Sequence, residues 1–124
     1  MSSGSTPITL YGISNCDTVK RARAWLVERG VNYTFHDFKK AGVPQDHLNA
    51  WLNSAGWQTV LNRKGNTWRA LGDAERDAVG DAASAQALML RQPSVIKRPV
   101  VEWADGRITV GFDAAVWAPL ATAA

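Results

Sequence analysis

The strongest constraint on this chain is a helical period framed by two short apolar runs near its beginning. Ile8-Thr9-Leu10-Tyr11 is apolar and β-branched and stops at Gly12, which predicts a buried strand. From Asp17 to Gly30 the residues Val19, Ala22 and Leu26 recur at helical spacing, and Trp25 widens the stripe. Lys20, Arg21 and Arg23 mark the solvent side, and Gly30 supplies a C-terminal stop. Val31 to Phe38 alternates and is rich in aromatic and β-branched residues. It predicts a second strand, parallel to the first across a helical crossover. The chain therefore opens with a βαβ unit, which commits it to an α/β fold.

Beyond Phe38 helical patterns take over. Pro44 suits the first turn of another helix, with His47, Leu48, Trp51 and Leu52 as its apolar stripe and Gly56 as its stop. Trp57 to Gly72 reads as an irregular basic stretch, and two short helical patterns succeed it, Asp73 to Val79 and Ala82 to Gln92. Val100 to Trp103 and Arg107 to Phe112 flank an Asp105-Gly106 turn and predict a hairpin. Asp113 caps a last helix whose stripe is Val116, Trp117 and Leu120. The order βαβ, helices, ββα predicts a thioredoxin-like mixed sheet with a helical insertion between its two halves. With 124 residues there is room for one core. The expected organisation is a disordered N-terminus over residues 1–7, a single domain over 8–120 and a short tail over 121–124.

Composition narrows the function classes. Apolar residues make up 46% and charged residues 20%, which excludes a disordered or collagen-like chain. No apolar run is long enough to span a bilayer, and the first residues lack the layout of a secretory signal, so a soluble cytoplasmic protein without membrane contact is expected. A net charge of +3 is a modest surplus, which favours small anions over direct nucleic-acid binding. His36 and His47 have no metal-ligand spacing to each other or to the single cysteine, so no metal is expected.

That cysteine, Cys16, falls between the end of the first strand and the first turn of the first helix, with Asn15 before it and Asp17 and Thr18 after it. Free backbone N–H groups and the helix dipole favour an anion there, and the thiolate is the nucleophilic form. Cys16 is then either a reactive thiol or a small buried apolar side chain. Val19 stands where a Cys-x-x-Cys motif would place its second thiol. A disulfide made by Cys16 must therefore be resolved by another molecule, such as glutathione or a glutaredoxin. Arg98-Pro99 precedes a strand, in a loop that this topology brings over the N-terminus of the first helix. There Pro99 is a candidate cis-proline, and Arg98 either holds an oxyanion or a glutathione carboxylate or is a solvated base. Arg63, beside Lys64, reads either as part of an anion-binding loop or as a solvated charge. Trp57 and Trp68 flank it as candidate pocket walls, whereas Arg69 and Arg107 read as surface residues.

Three segments, TLYGISNCDTVKRARAWL, TVLNRKGNTWRAL and SVIKRPVV, together resemble the ArsC/Spx superfamily and are most similar to its YffB-like branch. The resemblance runs from about Ile8 to Leu120. It implies a nucleophilic Cys16, with Arg63 and Arg98 as its catalytic partners and oxyanion or glutathione ligands. Asn15, Asp17, Thr18 and Pro99 complete the binding site. It departs from the glutathione-dependent arsenate reductases at two positions: their histidine four residues before the cysteine falls on Gly12, and their third substrate arginine falls on Gly111. The resemblance thus implies a monomeric, glutathione-dependent monothiol reductase with no tightly bound cofactor. Glutathione would be its co-substrate, glutaredoxin a partner, and a small anion or disulfide its substrate. The alternatives are arsenate reduction coupled to glutathione and glutaredoxin, and an Spx-like regulator that binds RNA polymerase.

Overall fold

A computed structural model describes residues 7–122; the expected disordered start lies almost wholly outside the described residues, as does the end of the tail. The elements are β1 (Thr9–Gly12), α1 (Asp17–Glu28), β2 (Thr34–Asp37), α2 (Phe38–Ala41), α3 (Gln45–Ala55), α4 (Trp57–Val60), α5 (Asn66–Ala70), α6 (Asp73–Asp77), α7 (Ala82–Arg91), a 3-10 turn (Pro93–Val95), β3 (Val100–Glu102), β4 (Ile108–Val110) and α8 (Ala114–Ala121). They fall into two compact units, residues up to Phe38 with those from Arg98 onward, and Lys39–Lys97 between them.

The first unit is built on a sheet of strand order β2-β1-β3-β4. β1 and β2 are parallel, as the crossover requires, with Leu10 opposite Phe35. β3 runs antiparallel to both β1 and β4. Leu10 and Val101 share a sheet face and join Val19, Ala22, Trp25 and Leu26 of α1 and Trp117 and Leu120 of α8 in one core. Its aromatic rings meet edge-on: Trp117 lies 4.8 Å from Phe112, 5.1 Å from Trp103 and 5.8 Å from Trp25, centroid to centroid. Such pairs each contribute about 0.5–1.5 kcal/mol beyond the area they bury. The one polar atom of Trp103 is satisfied, its indole N–H donating to Thr109 Oγ1 at 2.9 Å.

Local signals set the helix ends. Beyond α1, Gly30 takes φ +67°, a left-handed conformation that glycine adopts without a Cβ penalty. Its N–H donates to the Val27 carbonyl while Val31 N–H reaches Leu26, which closes the helix in a Schellman motif. Asp113 caps α8, its carboxylate accepting from Ala115 and Val116 N–H. Val116 does not join the stripe predicted for α8 and is 47% exposed, because the core takes only Trp117 and Leu120.

In the unit formed by residues 39–97, Leu48, Trp51 and Leu52 of α3, Val60 and Leu61 after it, Ala85, Leu88 and Met89 of α7, and Val95 and Ile96 are all buried. His47 is exposed, contrary to the predicted stripe, because the buried face follows Leu48, Trp51 and Leu52 and leaves its neighbour to one side. The stretch expected to be irregular contains α4 and α5, each too short to show a helical period in sequence. An antiparallel bridge between Leu61 and Ile96 closes behind α4, with Asn62 N–H donating to Val95 and Lys97 N–H to Val60. α7 begins in a capping box formed by Asp81 and Ser84.

Candidate active site

β1 and β3 place the chemistry. Tyr11 stands opposite Val100 across an antiparallel pair. The loop leaving β1 toward Cys16 and the Arg98-Pro99 segment entering β3 therefore lie at the same end of the sheet. Gly12 pairs with the buried Asp37 of β2 at that end, and Gly111 N–H donates to the Pro99 carbonyl at 2.8 Å. Asp37 was not singled out in the sequence; only its place as the last polar residue of an alternating strand could have marked it.

Cys16 is the N-cap residue of α1. Its backbone is extended, at φ −131° and ψ 122°, and its carbonyl accepts the first helical hydrogen bond from Lys20 N–H at 2.9 Å. No side chain caps this helix, so its leading N–H groups are left for an anion at the N-terminus, where the dipole also favours negative charge. The sulfur-bearing side chain is half-buried and packs against the core at its edge. Asn15 and Asp17 are exposed and Thr18 is half-buried.

The Arg98-Pro99 peptide, a candidate from the sequence, is cis. Pro99 is buried, Lys97 is exposed and Arg98 is half-buried with its Nε shut off from solvent. The structure thus carries Asn15, Cys16, Asp17, Thr18, Arg98 and Pro99 to one end of one sheet. Arg63 belongs to the other unit, where it is exposed and its guanidinium carbon sits 5.3 Å from the centre of the Trp57 ring. Its loop is shaped by Asn62, whose side-chain oxygen accepts from Lys64 N–H at 3.0 Å.

The departure at the third arginine position has a structural counterpart. Gly111 takes φ +87°, where an arginine would be strained. Arg107 does not stand in for it. Its carbonyl accepts from Trp103 N–H at the hairpin turn, and its Nε lies 3.2 Å from Asp105 Oδ2. That is the opposite end of β4, about 13 Å away at the rise of a strand.

The electrostatics nearby are set by burial. Tyr11 is buried, its ring centre lies 5.1 Å from that of His36 with the planes tilted by 41°, and it donates its hydroxyl to Glu102 Oε1 at 2.8 Å. Burial first, then the hydrogen bond and charge of Glu102, push its phenol well above its ordinary range and keep it neutral. Among the described residues, no group of three or more His, Cys, Asp or Glu is placed to hold a metal. Nor is any helix among them long and apolar enough to cross a membrane.

Residues 11–120 match the ArsC family. The chain belongs to that family. Among solved structures, a YffB protein is 50% identical with a TM-score of 0.87, covering 93% of this chain and 99% of its own. An arsenate reductase (ArsC) related protein from Brucella melitensis is 49% identical with a TM-score of 0.71, covering 92% and 93%. An uncharacterized protein of Haemophilus influenzae is 34% identical over 86% of this chain and 91% of its own length. The global transcriptional regulator Spx of Streptococcus pyogenes serotype M3 is 25% identical over 86% and 78%.

Proposed function

We propose that this ArsC-family chain is a cytoplasmic, monomeric thiol reductase that uses Cys16 as its only thiol and glutathione as its reductant. The observation that carries the reading is the meeting, at one sheet end, of Cys16 at the uncapped N-terminus of α1 with the Arg98–cis-Pro99 segment. A thiolate at Cys16 attacks one sulfur of a substrate disulfide, forming a mixed disulfide and expelling the other sulfur as a thiolate. One glutathione thiolate then displaces the bound half, leaving a Cys16–glutathione disulfide. A second glutathione attacks that disulfide, releasing oxidised glutathione and restoring the Cys16 thiolate. One substrate disulfide is reduced and two glutathiones are oxidised, with no second protein thiol.

In this mechanism Arg98 holds a carboxylate of glutathione or an anionic substrate through its planar fork of donors. The backbone N–H groups at Asp17 and Thr18 stabilise the thiolate, and Asn15 and Pro99 shape the approach. Arg63 takes the same anion-holding role by family resemblance. Gly12 and Gly111 weigh against arsenate as the substrate, since the site then lacks a donor beside the sulfur and one cationic contact to the oxyanion.

A glutathione-coupled disulfide-reduction assay tests the proposal. Cys16→Ser is expected to abolish turnover, and Arg98→Lys to impair glutathione use more than it lowers the melting temperature. Full activity in Cys16→Ser overturns it. The Spx relatives favour a second reading, a regulator that binds RNA polymerase. Capture of RNA polymerase subunits by Cys16→Ser, with no thiol turnover in the wild type, would decide for that reading. Turnover of arsenate above a protein-free blank with glutaredoxin present would restore arsenate reduction.

A further inference from the structure

Val19 is fully buried on the inner face of α1, one turn from Cys16. It bears directly on Gly12, the last residue of β1. A Cβ added to Gly12 would lie 2.8 Å from Val19 Cγ2, 3.4 Å from Cγ1 and 3.7 Å from Cβ. Both methyls and their branch point therefore close on the glycine. A valine in a helix has essentially one side-chain rotamer, so the contact cannot be relieved by rotation. The contact joins the end of the strand before the Cys16 loop to the helix turn after it. The loop between Gly12 and Asp17 is short, so fixing both ends fixes what it carries.

We infer that Val19 is a positioning residue for the Cys16 thiol: it seats the first turn of α1 on the bare Cα of Gly12 and so sets where the sulfur stands relative to the Arg98-Pro99 segment. The two residues act as a pair, since a side chain at position 12 requires α1 to shift unless position 19 shrinks. This rests on the reading of Cys16 as the reacting thiol, but the assay that tests it reads the thiol without any substrate.

The experiment measures the rate of Cys16 alkylation by iodoacetamide against pH in the wild type, Val19→Ala, Gly12→Ala, Val19→Ile and the double variant Gly12→Ala/Val19→Ala. Val19→Ala and Gly12→Ala are each expected to change the rate by about threefold or more, within the coupling typical of residues in contact. Val19→Ile keeps both branches on Gly12 and should retain the wild-type pH profile. The double variant should lie closer to the wild type than either single variant does. Single variants that lower the melting temperature while leaving the alkylation profile unchanged would overturn the inference, as would strict additivity in the double variant. If Val19→Ala fails to fold, a wild-type profile in Gly12→Ala overturns it equally. An altered profile in a protein whose wild type has no disulfide-reductase turnover would retain the positioning role and reject the reductase. Turnover with unaltered profiles would do the reverse.

Discussion

The sheet-bearing unit and the unit of residues 39–97 are stabilised differently. In the first, strands distant in sequence pair in register, and a Trp117-centred cluster of edge-on rings fills one sheet face. In the second, short helices bury aliphatic side chains and Trp51. Charge divides the same way. Acidic and basic residues balance in the sheet unit, so the +3 of the whole chain resides in residues 39–97. Cys16 and Arg98 sit where register sets geometry, whereas Arg63 sits on a surface loop over one tryptophan ring. The contrast teaches that the candidate nucleophile is held by long-range pairing, and the excess positive charge is borne by locally folded structure.

The sharpest way to break that contrast is to hollow each core. Trp117→Ala is expected to cost about 3–5 kcal/mol and Leu88→Ala about 2–5 kcal/mol, measured by urea denaturation. If residues 8–120 fold as one domain, both variants lower a single shared transition; two transitions, each moved by one variant only, would separate the units. Next in size is the cap of α8. Asp113→Ala removes the acceptor for Ala115 and Val116 N–H and should cost about 1 kcal/mol, with Asp113→Asn close to the wild type.

The smallest effect is expected at Asp81 in the helical unit. Hydrogen bonds from the Ser84 side chain and then its backbone N–H hold its carboxyl below the ordinary value. Its folded-state pKa is depressed, so its contribution is present above the unfolded pKa and disappears as pH falls through the folded one. The melting-temperature difference between wild type and Asp81→Ala should therefore narrow in acid. A difference constant down to about pH 2, below the usual carboxylate range, would show that the ionised carboxylate is not what caps α7.

Much of the fold was legible in the chain. The parallel βαβ opening, the hairpin, the Asp113 cap and the helix stop at Gly30 are local patterns that form as predicted, except that the second strand is shorter than its Val31 to Phe38 pattern, running Thr34–Asp37, and Phe38 opens α2 instead. His47 and Val116 misled because an apolar stripe read from spacing is one residue too wide when the partner surface is narrow. α4 and α5 went unseen because a single turn has no period to detect. For the site, the place of Cys16 at a helix start was visible, since a strand end and a helix start are local events, whereas Pro99 was only a candidate cis-proline until the structure showed the bond.

The sequence alone thus determined the βαβ opening, the C-terminal hairpin, the helix ends at Gly30 and Asp113, the absence of a second thiol and membership of the ArsC family. The element order also led to the expectation that the Arg98-Pro99 loop lies over the start of α1, but only tertiary pairing fixed the register that puts it there. Arg98-Pro99 comes beside the Cys16 loop because Tyr11 pairs with Val100. Arg107 is left at the far hairpin turn because β4 runs the length between it and Gly111. Hydrophobic period and capping act over a few residues and can be read along the chain, while register is settled by pairing between segments far apart in it. The same holds for the contact of Val19 with Gly12, which no spacing in the sequence announces.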